Sequence, residues 1–352
     1  MTGRGAGAPR FVRRTAPDKE HRQRDRTHDV PAPRPVNLRI GVVFPQTEIA
    51  GDPDATRRVG MTAEQLGYDH LLAYDHVLGA EHRNRTEPLW GPYTERDPFH
   101  DPFVLFAYLA GCTSRLGFAT GVLVLPQRQT ALVAKQAADL AILSGGRFRL
   151  GVGVGWNPVE YTALGQDFGS RGARIDEQIG LLRRLWREPV VEFEGRFDRI
   201  DRAACVPRPA HDVPIWLGGF SNAALRRAAR VADGFIFAGP QASILERWSA
   251  LRGMLVEVGR PLDRFGAQAV TYAAHDPGEI VSFAREWMAA GGTHLGIEST
   301  GLGLRSAAEH VERLGTVAGA LAAAGLLARD AGADPAHPVR PRRIAPPVSD
   351  PG

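Results

Sequence analysis

The sequence has few cysteines, no long apolar run and no basic excess outside its first residues. Cys112 and Cys205 are the only cysteines among 352 residues, too few for a disulfide framework. No stretch approaches the roughly 18 consecutive apolar residues of a membrane span. Arg13 and Arg14 are followed by polar residues, where an export signal needs an apolar segment. We therefore expect a reduced, cytoplasmic protein with no membrane partner.

The net charge of +4 comes from the N-terminal segment. Residues 1–36 contain nine Lys or Arg and four acidic residues, a net charge of +5, so the rest of the chain carries −1. Binding to nucleic acid through phosphates requires a basic excess, so we expect no nucleic-acid partner. Segments 1–36 and 329–352 are rich in Pro and Arg and poor in large apolar residues. We predict two disordered tails around one folded domain, residues 37–328.

Within that domain, short apolar runs alternate with segments of helical period. The predicted strands are residues 38–44, 70–74, 116–122, 148–154, 214–217, 234–237, 267–272 and 293–297. The predicted helices are residues 55–66, 102–111, 133–143, 175–186, 223–232, 243–258, 278–290 and 306–327. Apolar strands joined by crossover helices form parallel sheets. Eight such units predict an α/β fold, a (β/α)8 TIM barrel.

Two segments interrupt this alternation. Residues 77–97 are polar and aromatic, and form a long loop after the second strand, which we interpret as a lid or substrate loop. Residues 191–193 and 196–198 alternate in period two around Glu194-Gly195 and predict an inserted hairpin. The hairpin could cover the barrel rim or an interface, or be plain surface decoration.

TIM barrels place their chemistry at the C-terminal ends of the strands. Asp75 and His76 follow the second strand, where they could hold a polar cofactor edge and transfer a proton. Gly121 interrupts the third strand, as at a bulge or a close backbone approach. The fourth strand ends in Gly151-Val152-Gly153-Val154-Gly155-Trp156, which would permit packing under a flat ring.

The fifth strand is followed by Gly218, Gly219 and Ser221, and then by a predicted helix. Free backbone amides and the positive end of a helix dipole suit a phosphate group. Simple helix capping would also explain Ser221.

Five segments in this order resemble the luciferase-like monooxygenase superfamily, most closely its actinobacterial coenzyme F420-dependent branch. They are residues 75–76, 120–126, 134–147, 151–156 and 215–219. The resemblance implies a (β/α)8 barrel, a homodimer, and a non-prolyl cis peptide in Thr120-Gly121-Val122 beneath an isoalloxazine or deazaflavin ring.

The resemblance also implies roles for individual residues. Asp75 would hydrogen-bond the ring edge or a neighbouring group, Val154, Gly155 and Trp156 would contact the cofactor, and His76 would be the catalytic proton acceptor. Gly218, Gly219 and Ser221 would receive the phosphate or side chain of the cofactor. Related sugar-phosphate dehydrogenases have a glutamate where this chain has Trp156, so sugar-phosphate oxidation is not expected.

We therefore expect F420-dependent hydride transfer to or from a medium-sized organic substrate. The acidic tail of F420 would need basic residues near the mouth, for which Arg128, Arg147 and Arg171 are candidates. One alternative is a monooxygenase that uses reduced FMN, with Trp90, Tyr93, Phe99 and Trp156 excluding water. Another is a non-catalytic flavin-binding protein.

A metal-dependent hydrolase is a further alternative, because histidines recur along the chain. They are His70, His76, His82, His100, His275 and His294. His70 and His294 begin strands, and His82 and His100 lie in or after the long loop. Too few therefore converge on the strand ends, and no metal site is expected.

Overall fold

The structure, a computed structural model, describes residues 38–49, 51–271 and 276–327. Both predicted tails, residues 1–36 and 329–352, and also His275, lie outside the described residues.

The elements follow one another in a strand-helix order. The strands are β1 Arg39–Val43, β2 His70–Ala73, β3 Gly117–Thr120, β4 Leu123–Val124, β5 Phe148–Gly153, β6 Val191–Glu194, β7 Arg199–Ala203, β8 Ile215–Gly218, β9 Gly234–Ala238, β10 Gly266–Thr271 and β11 His294–Ile297. The helices are α1 Gln46–Ile49, α2 Pro53–Gln65, α3 Pro102–Cys112, α4 Thr130–Leu143, α5 Pro158–Ala163, α6 Arg171–Arg187, α7 Asn222–Val231, α8 Gln241–Glu257, α9 Pro277–Ala289 and α10 Ala307–Ala323.

Eight parallel strands close into a barrel. Their order around it is β1, β2, β3, β5, β8, β9, β10 and β11, and β11 pairs again with β1. The short strand β4 continues β3 and also pairs with β5. Each predicted strand corresponds to one barrel strand, and each predicted helix to an observed one. The prediction of a (β/α)8 barrel is confirmed.

The inserted hairpin is present, but its second strand begins later than predicted. Residues 195–198 form the turn, and the second strand is β7, which pairs with β6. The carboxylate of Glu177 on α6 accepts the backbone N–H groups of Arg196, Phe197 and Asp198 at 2.7 to 2.9 Å. These amides therefore bond to a helix side chain instead of a neighbouring strand.

The inside of the barrel is apolar at mid-height and polar at the N-terminal ends of the strands. Six residues make the apolar inner cluster: Val43, Leu72, Ala119, Trp216, Ile236 and Val270. Below them, the guanidinium of Arg149 lies 4.1 Å from the centre of the Trp216 ring and donates to Gln268 at 2.5 Å. Gln268 in turn contacts His70. These polar groups close the end of the barrel opposite to the expected active site.

A bulge after β3 positions Val122 in the barrel. The Gly121–Val122 peptide bond is cis, as the resemblance implied. A Cβ atom on Gly153 of β5 would lie 2.5 Å from Val122 Cγ2, and one on Gly218 of β8 would lie 2.7 Å from Val122 Cγ1. Real Cβ atoms do not approach so closely. The two glycines therefore make room for the Val122 side chain.

This packing predicts the effect of Gly153→Ala. Overpacking a closed core costs about 1–3 kcal/mol, so the free energy of unfolding in urea should fall by that amount. In a Val122→Ala background the cost of Gly153→Ala should drop below about 1 kcal/mol, because the clashing methyl groups are gone. Gly180→Ala is the control, since a Cβ there meets nothing within 4 Å. An equal cost in both backgrounds would contradict this account.

Candidate active site

The mouth of the barrel has an apolar floor. Tyr74, Val122 and Ala238 are half-buried and pack on the inner cluster from the C-terminal ends of their strands. A floor of this kind suits a flat aromatic ring, because such a ring gains from contact with apolar surface.

His76 stands beside this floor and is paired with a carboxylate. Its Nδ1 atom lies 3.1 Å from Oε2 of Glu160, a residue of α5. Because Nδ1 is engaged by Glu160, Nε2 is the ring nitrogen left to face a bound molecule. A carboxylate on one imidazole nitrogen orients the ring and favours a proton on that nitrogen.

Glu160 is buried and held as an anion. Its other oxygen accepts the N–H groups of Val77 at 2.8 Å and Leu78 at 3.1 Å. Burial alone would raise the pKa of Glu160, but the hydrogen bond and charge of His76 and these two amides lower it below its ordinary value. The pair is therefore an imidazole backed by a fixed carboxylate, an arrangement used to accept and release protons.

Aromatic rings cover His76. The ring centres of Phe99, Tyr93 and Trp156 lie 4.8, 5.2 and 5.6 Å from that of the imidazole. The His76 side chain is only 9% exposed. A Cβ atom on Gly91 would collide with the Trp156 ring, so the loop of residues 77–97 packs directly on this tryptophan. Trp156 thus contacts the loop and the histidine.

Asp75 points away from His76 into the protein. Its carboxylate accepts the N–H of Val124 at 2.9 Å and a guanidinium N–H of Arg128 at 2.7 Å. Arg128 also pairs with Asp101 at 2.9 Å. Both oxygens of Asp75 therefore have protein partners, and the residue fixes the chain just after the Val122 bulge. Of the two predicted roles for Asp75, the geometry favours contact with a neighbouring group over contact with the ring edge.

Thr120 and Gly121 lie beneath the floor. The Thr120 hydroxyl is fully buried and donates to the Gly151 carbonyl at 2.6 Å, so it cannot reach a ligand in the mouth. A Cβ on Gly121 would meet the Leu72 side chain. Both residues shape the bulge, and the expected cofactor contacts of Thr120 and Gly121 stay predictions.

Val154 and Gly155 follow β5 at the rim. The Val154 carbonyl accepts the Tyr161 hydroxyl at 2.7 Å. Gly155 has a φ of +63° and packs on Val124. This turn directs the chain toward Trp156 and α5.

The loop after β8 ends in a helix N-terminus. Gly219 has a φ of +144°, which side chains rarely tolerate, and the Ser221 hydroxyl accepts the Ala224 amide as the N-cap of α7. Arg247 donates to the Gly219 carbonyl, and its guanidinium lies 5.6 Å from the ring of the exposed Phe220. The first turn of α7 presents amide donors, which suit an anion.

The arginines expected to bind the acidic tail of F420 make contacts within the protein. Arg147 donates to carbonyls of Ala110, Thr113 and Leu116 at the opposite end of the barrel. Arg128 is committed to Asp75 and Asp101. Arg171 donates to the Phe168 carbonyl and stacks on that ring at 3.7 Å. Arg147 therefore lies away from the mouth, contrary to the expectation. The roles expected of Arg128 and Arg171 stay predictions, although both guanidinium groups already have partners within the protein.

Sequence reasoning missed Glu160. The residues Asn157-Pro158-Val159-Glu160 match a helix start, and Asn157 does cap α5 by accepting the Val159 amide at 3.0 Å. A glutamate at the third helical position usually reaches back to its own cap. Here it contacts the chain 84 residues earlier. The helix-start pattern was the available signal, but it does not reveal this contact.

Histidines do not assemble into a metal centre in the described part of the chain. Residues 38–49, 51–271 and 276–327 contain no group of three or more His, Cys, Asp or Glu side chains placed to hold a metal ion. His70 and His294 lie inside the barrel at the starts of β2 and β11, with ring centres 5.6 Å apart.

One surface depression lies away from the strand ends. It measures about 440 Å³ and is lined by Asp54, Arg57, Arg58, Met61, Thr62 and Gln65 on the outer face of α2. No barrel strand ends there, so the strand ends remain the candidate active site.

A closed (β/α)8 barrel with an apolar floor, a histidine-glutamate pair and a helix N-terminus at its mouth has the features of a barrel enzyme that binds its ligand at the strand ends. The family model described as luciferase-like monooxygenase matches residues 38–344. The chain belongs to this family.

Relatives of known and unknown activity match parts of the chain. An uncharacterised protein of Mycobacterium tuberculosis is 45% identical over 44% of this chain and 54% of its own. An F420-dependent glucose-6-phosphate dehydrogenase of Nakamurella multipartita is 31% identical over 60% of each chain. A pyrimidine monooxygenase of Variovorax paradoxus is 30% identical over 62% of this chain and 57% of its own. The matches span little more than half of these relatives.

Among solved structures, an F420-dependent secondary alcohol dehydrogenase has a TM-score of 0.65 at 16% identity. The match covers 81% of this chain and 99% of the other. At this identity the likeness supports the fold alone.

The buried ion pair predicts the effect of Asp75→Asn. Removing one charge leaves Arg128 without its closest partner, and breaking a buried pair costs about 3–5 kcal/mol. The unfolding free energy should fall by about that much in a urea titration. Glu188→Gln is the matched control, because its pair with Arg184 is exposed and worth less than about 1 kcal/mol. Equal effects of the two substitutions would show that Asp75 does not fix the bulge.

Proposed function

We propose that this protein is an F420-dependent oxidoreductase that transfers a hydride between the deazaflavin and an organic substrate at the mouth of the barrel. The observation that carries the proposal is the pair of His76 and Glu160 beside the Val122 floor. When bound, the cofactor supplies the hydride acceptor or donor. The residues of the chain bind it, exclude water and move the accompanying proton.

The residues at the mouth fit a ring with a phosphate-bearing side chain. Val122 offers an apolar surface for the ring, and Gly218, which packs against Val122, leads directly to the start of α7. Gly219 and Ser221 would then receive the phosphate at the amides of α7. Val154, Gly155 and Trp156 would border the ring on the β5 side.

His76 would exchange the proton that accompanies the hydride. Glu160 holds Nδ1, so Nε2 is the nitrogen directed to the bound molecules. The surrounding rings leave the His76 side chain only 9% exposed, and exclusion of water strengthens electrostatic interactions. A buried carboxylate that bonds an imidazole supports proton transfer, and a non-catalytic flavin-binding protein would not require it.

A monooxygenase that uses reduced FMN is the second candidate. The cover formed by Tyr93, Phe99 and Trp156 over His76 favours it, because oxygen insertion requires a site from which water is excluded. The similarity to a pyrimidine monooxygenase supports this candidate to the same degree as the similarity to an F420-dependent dehydrogenase supports the first. The His76–Glu160 pair leads us to prefer hydride transfer.

We also propose a cytoplasmic homodimer without nucleic-acid partners. The exposed apolar side chains Met61 of α2, Val104 and Tyr108 of α3 and Leu132 of α4 lie on neighbouring helices and would be covered by a second copy. No helix in the described ranges is long and apolar enough to cross a membrane.

Cofactor binding tests the first proposal. Purified protein should bind F420 with a micromolar dissociation constant, measured by the change in deazaflavin fluorescence, and should bind reduced FMN at least tenfold more weakly. The Val122→Asp variant should lose F420 binding, because a carboxylate would replace the apolar floor. Tight binding of reduced FMN without binding of F420 would favour the monooxygenase.

The pair of His76 and Glu160 is tested by Glu160→Gln. Turnover should fall about 100-fold, the usual contribution of acid-base catalysis, while the F420 dissociation constant stays within threefold. Glu312→Gln on the exposed face of α10 is the control.

Because the folded pKa of Glu160 is lowered, its charge stabilises the fold at neutral pH, and this contribution is lost as pH falls below about 4.5. The difference in unfolding free energy between wild type and Glu160→Gln should therefore shrink in acid. An unchanged difference would contradict the buried anion.

A further inference from the structure

The polar layer at the N-terminal ends of the barrel strands contains an arginine, Arg149 of β5. Its guanidinium lies 4.1 Å from the centre of the Trp216 ring and donates to the Gln268 side chain. Within residues 38–49, 51–271 and 276–327, no carboxylate forms an ion pair with Arg149. The proposed function uses no residue of this layer, so the positive charge needs another explanation.

Arg149 is charged at neutral pH, whereas the histidines beside it are neutral. Burial lowers the pKa of Arg149 to about 9, and the charge of Arg39 adds to this effect. Burial also lowers the pKa values of His70 and His294 well below their ordinary value, and the neighbouring arginines contribute. Arg39 itself is exposed and lies near the charge of the exposed Asp69. The enclosed part of the layer therefore carries one positive charge.

The hydrogen bonds of the layer determine which nitrogen of His70 carries its proton. A guanidinium can only donate, so the atom of Gln268 that Arg149 contacts at 2.5 Å is the amide oxygen. The amide nitrogen of Gln268 lies 3.0 Å from Nε2 of His70 and donates to it. Because the neutral imidazole accepts at Nε2, its proton is on Nδ1.

Two donors of the layer make no hydrogen bond to any described residue. They are Nε of Arg149 and Nδ1 of His70, and both atoms are shielded from solvent. The His70 residue as a whole is 4% exposed. A buried donor without an acceptor is destabilising, and a buried charge without a counter-ion is more so. One negatively charged acceptor would satisfy both donors and balance the charge.

The strands hold the side chains of this layer in place. A Cβ atom on Gly41 would lie 2.5 Å from the His70 ring, and one on Gly266 would collide with the Trp216 ring. The His294 ring packs edge-on against both, with its centre 5.6 Å from that of His70 and 4.9 Å from that of Trp216. These rings are therefore fixed by packing, as in a preformed binding site.

We propose that the N-terminal end of the barrel binds one small monovalent inorganic anion, such as chloride, through Nε of Arg149 and Nδ1 of His70. A single negative charge balances the one positive charge of the enclosed layer. A dianion such as sulfate would leave an unbalanced negative charge in a buried place. The site lies at the opposite end of the barrel from the candidate active site, so the inference is independent of the proposed function.

A bromide soak tests the position of the site, because the anomalous scattering of bromide identifies the ion. In crystals of the full chain soaked in sodium bromide, we expect an anomalous peak within hydrogen-bond distance of Arg149 Nε and His70 Nδ1. The same soak of Arg149→Met crystals should give no peak there. Peaks confined to the protein surface would indicate an adventitious ion only and would overturn the proposal.

Chloride should also stabilise the fold in solution. The melting temperature of wild type should rise by about 2 °C for each tenfold increase in chloride above its dissociation constant, with ionic strength held constant by the bulky anion gluconate. Arg149→Met should lose this dependence. Arg183→Met is the matched control and should keep it, because Arg183 lies at the same end of the barrel but pairs with Asp233 at 2.9 Å.

The chloride series separates an ion ligand from a purely structural arginine. If Arg149 binds the ion, the difference in melting temperature between wild type and Arg149→Met grows as chloride increases. A constant difference at every chloride concentration would overturn the proposal.

His70→Phe provides a second test that keeps the charge of Arg149. Loss of the Nδ1 donor should raise the chloride dissociation constant about tenfold, since a hydrogen bond to a charged group is lost. A dissociation constant equal to that of wild type would exclude His70 from the site and contradict the proposed geometry.

Discussion

Val122 packs between Gly153 and Gly218, and the geometry of the mouth depends on this contact. The side chain enters a space that any larger residue on β5 or β8 would fill. The peptide bond before it, between Gly121 and Val122, is cis. Asp75 and Arg128 hold the chain after the bulge, and Asp75 is next to His76 in the sequence. The packing of Val122 therefore helps to position the apolar floor and the chain that follows β3, and through Asp75 it connects to His76.

Burial and hydrogen-bond partners determine the pKa values of two carboxyl groups near the mouth of the barrel. Glu160 and Glu298 are both buried carboxyl groups, yet their surroundings shift their pKa values in opposite directions. Glu160 has two backbone amides and an imidazole, and its pKa is lowered. Burial raises the pKa of Glu298, the charge of Glu48 adds to the rise, and the hydrogen bonds from Thr300 and Tyr74 oppose it. The two carboxyl groups therefore differ in acidity because Glu160 has two backbone amides and an imidazole, whereas Glu298 has a like charge nearby.

The barrel could be predicted from the sequence because each strand is an apolar run buried on both faces. This pattern can be recognised without knowledge of contacts between distant residues. It also identified Asp75-His76 and the Gly121 bulge, which are local features. It could not reveal Glu160, because that contact forms only when the turn after β5 returns to β2. The start of β7 was misplaced for a similar reason, since Glu177 captures the preceding amides. From the sequence, Gly153 would permit packing under a flat ring, whereas the Val122 side chain fills the space next to it. The expected role of Gly218 at the phosphate or side chain of the cofactor stays a prediction.

A crystal structure of the protein with F420 would show whether the deazaflavin ring lies on Val122 with His76 at its edge, as we propose. We expect van der Waals contact of about 4 Å between the ring and the Val122 side chain, with Nε2 of His76 directed to the bound molecules. A ring bound away from the strand ends, or one that leaves the Val122 floor uncovered, would contradict it.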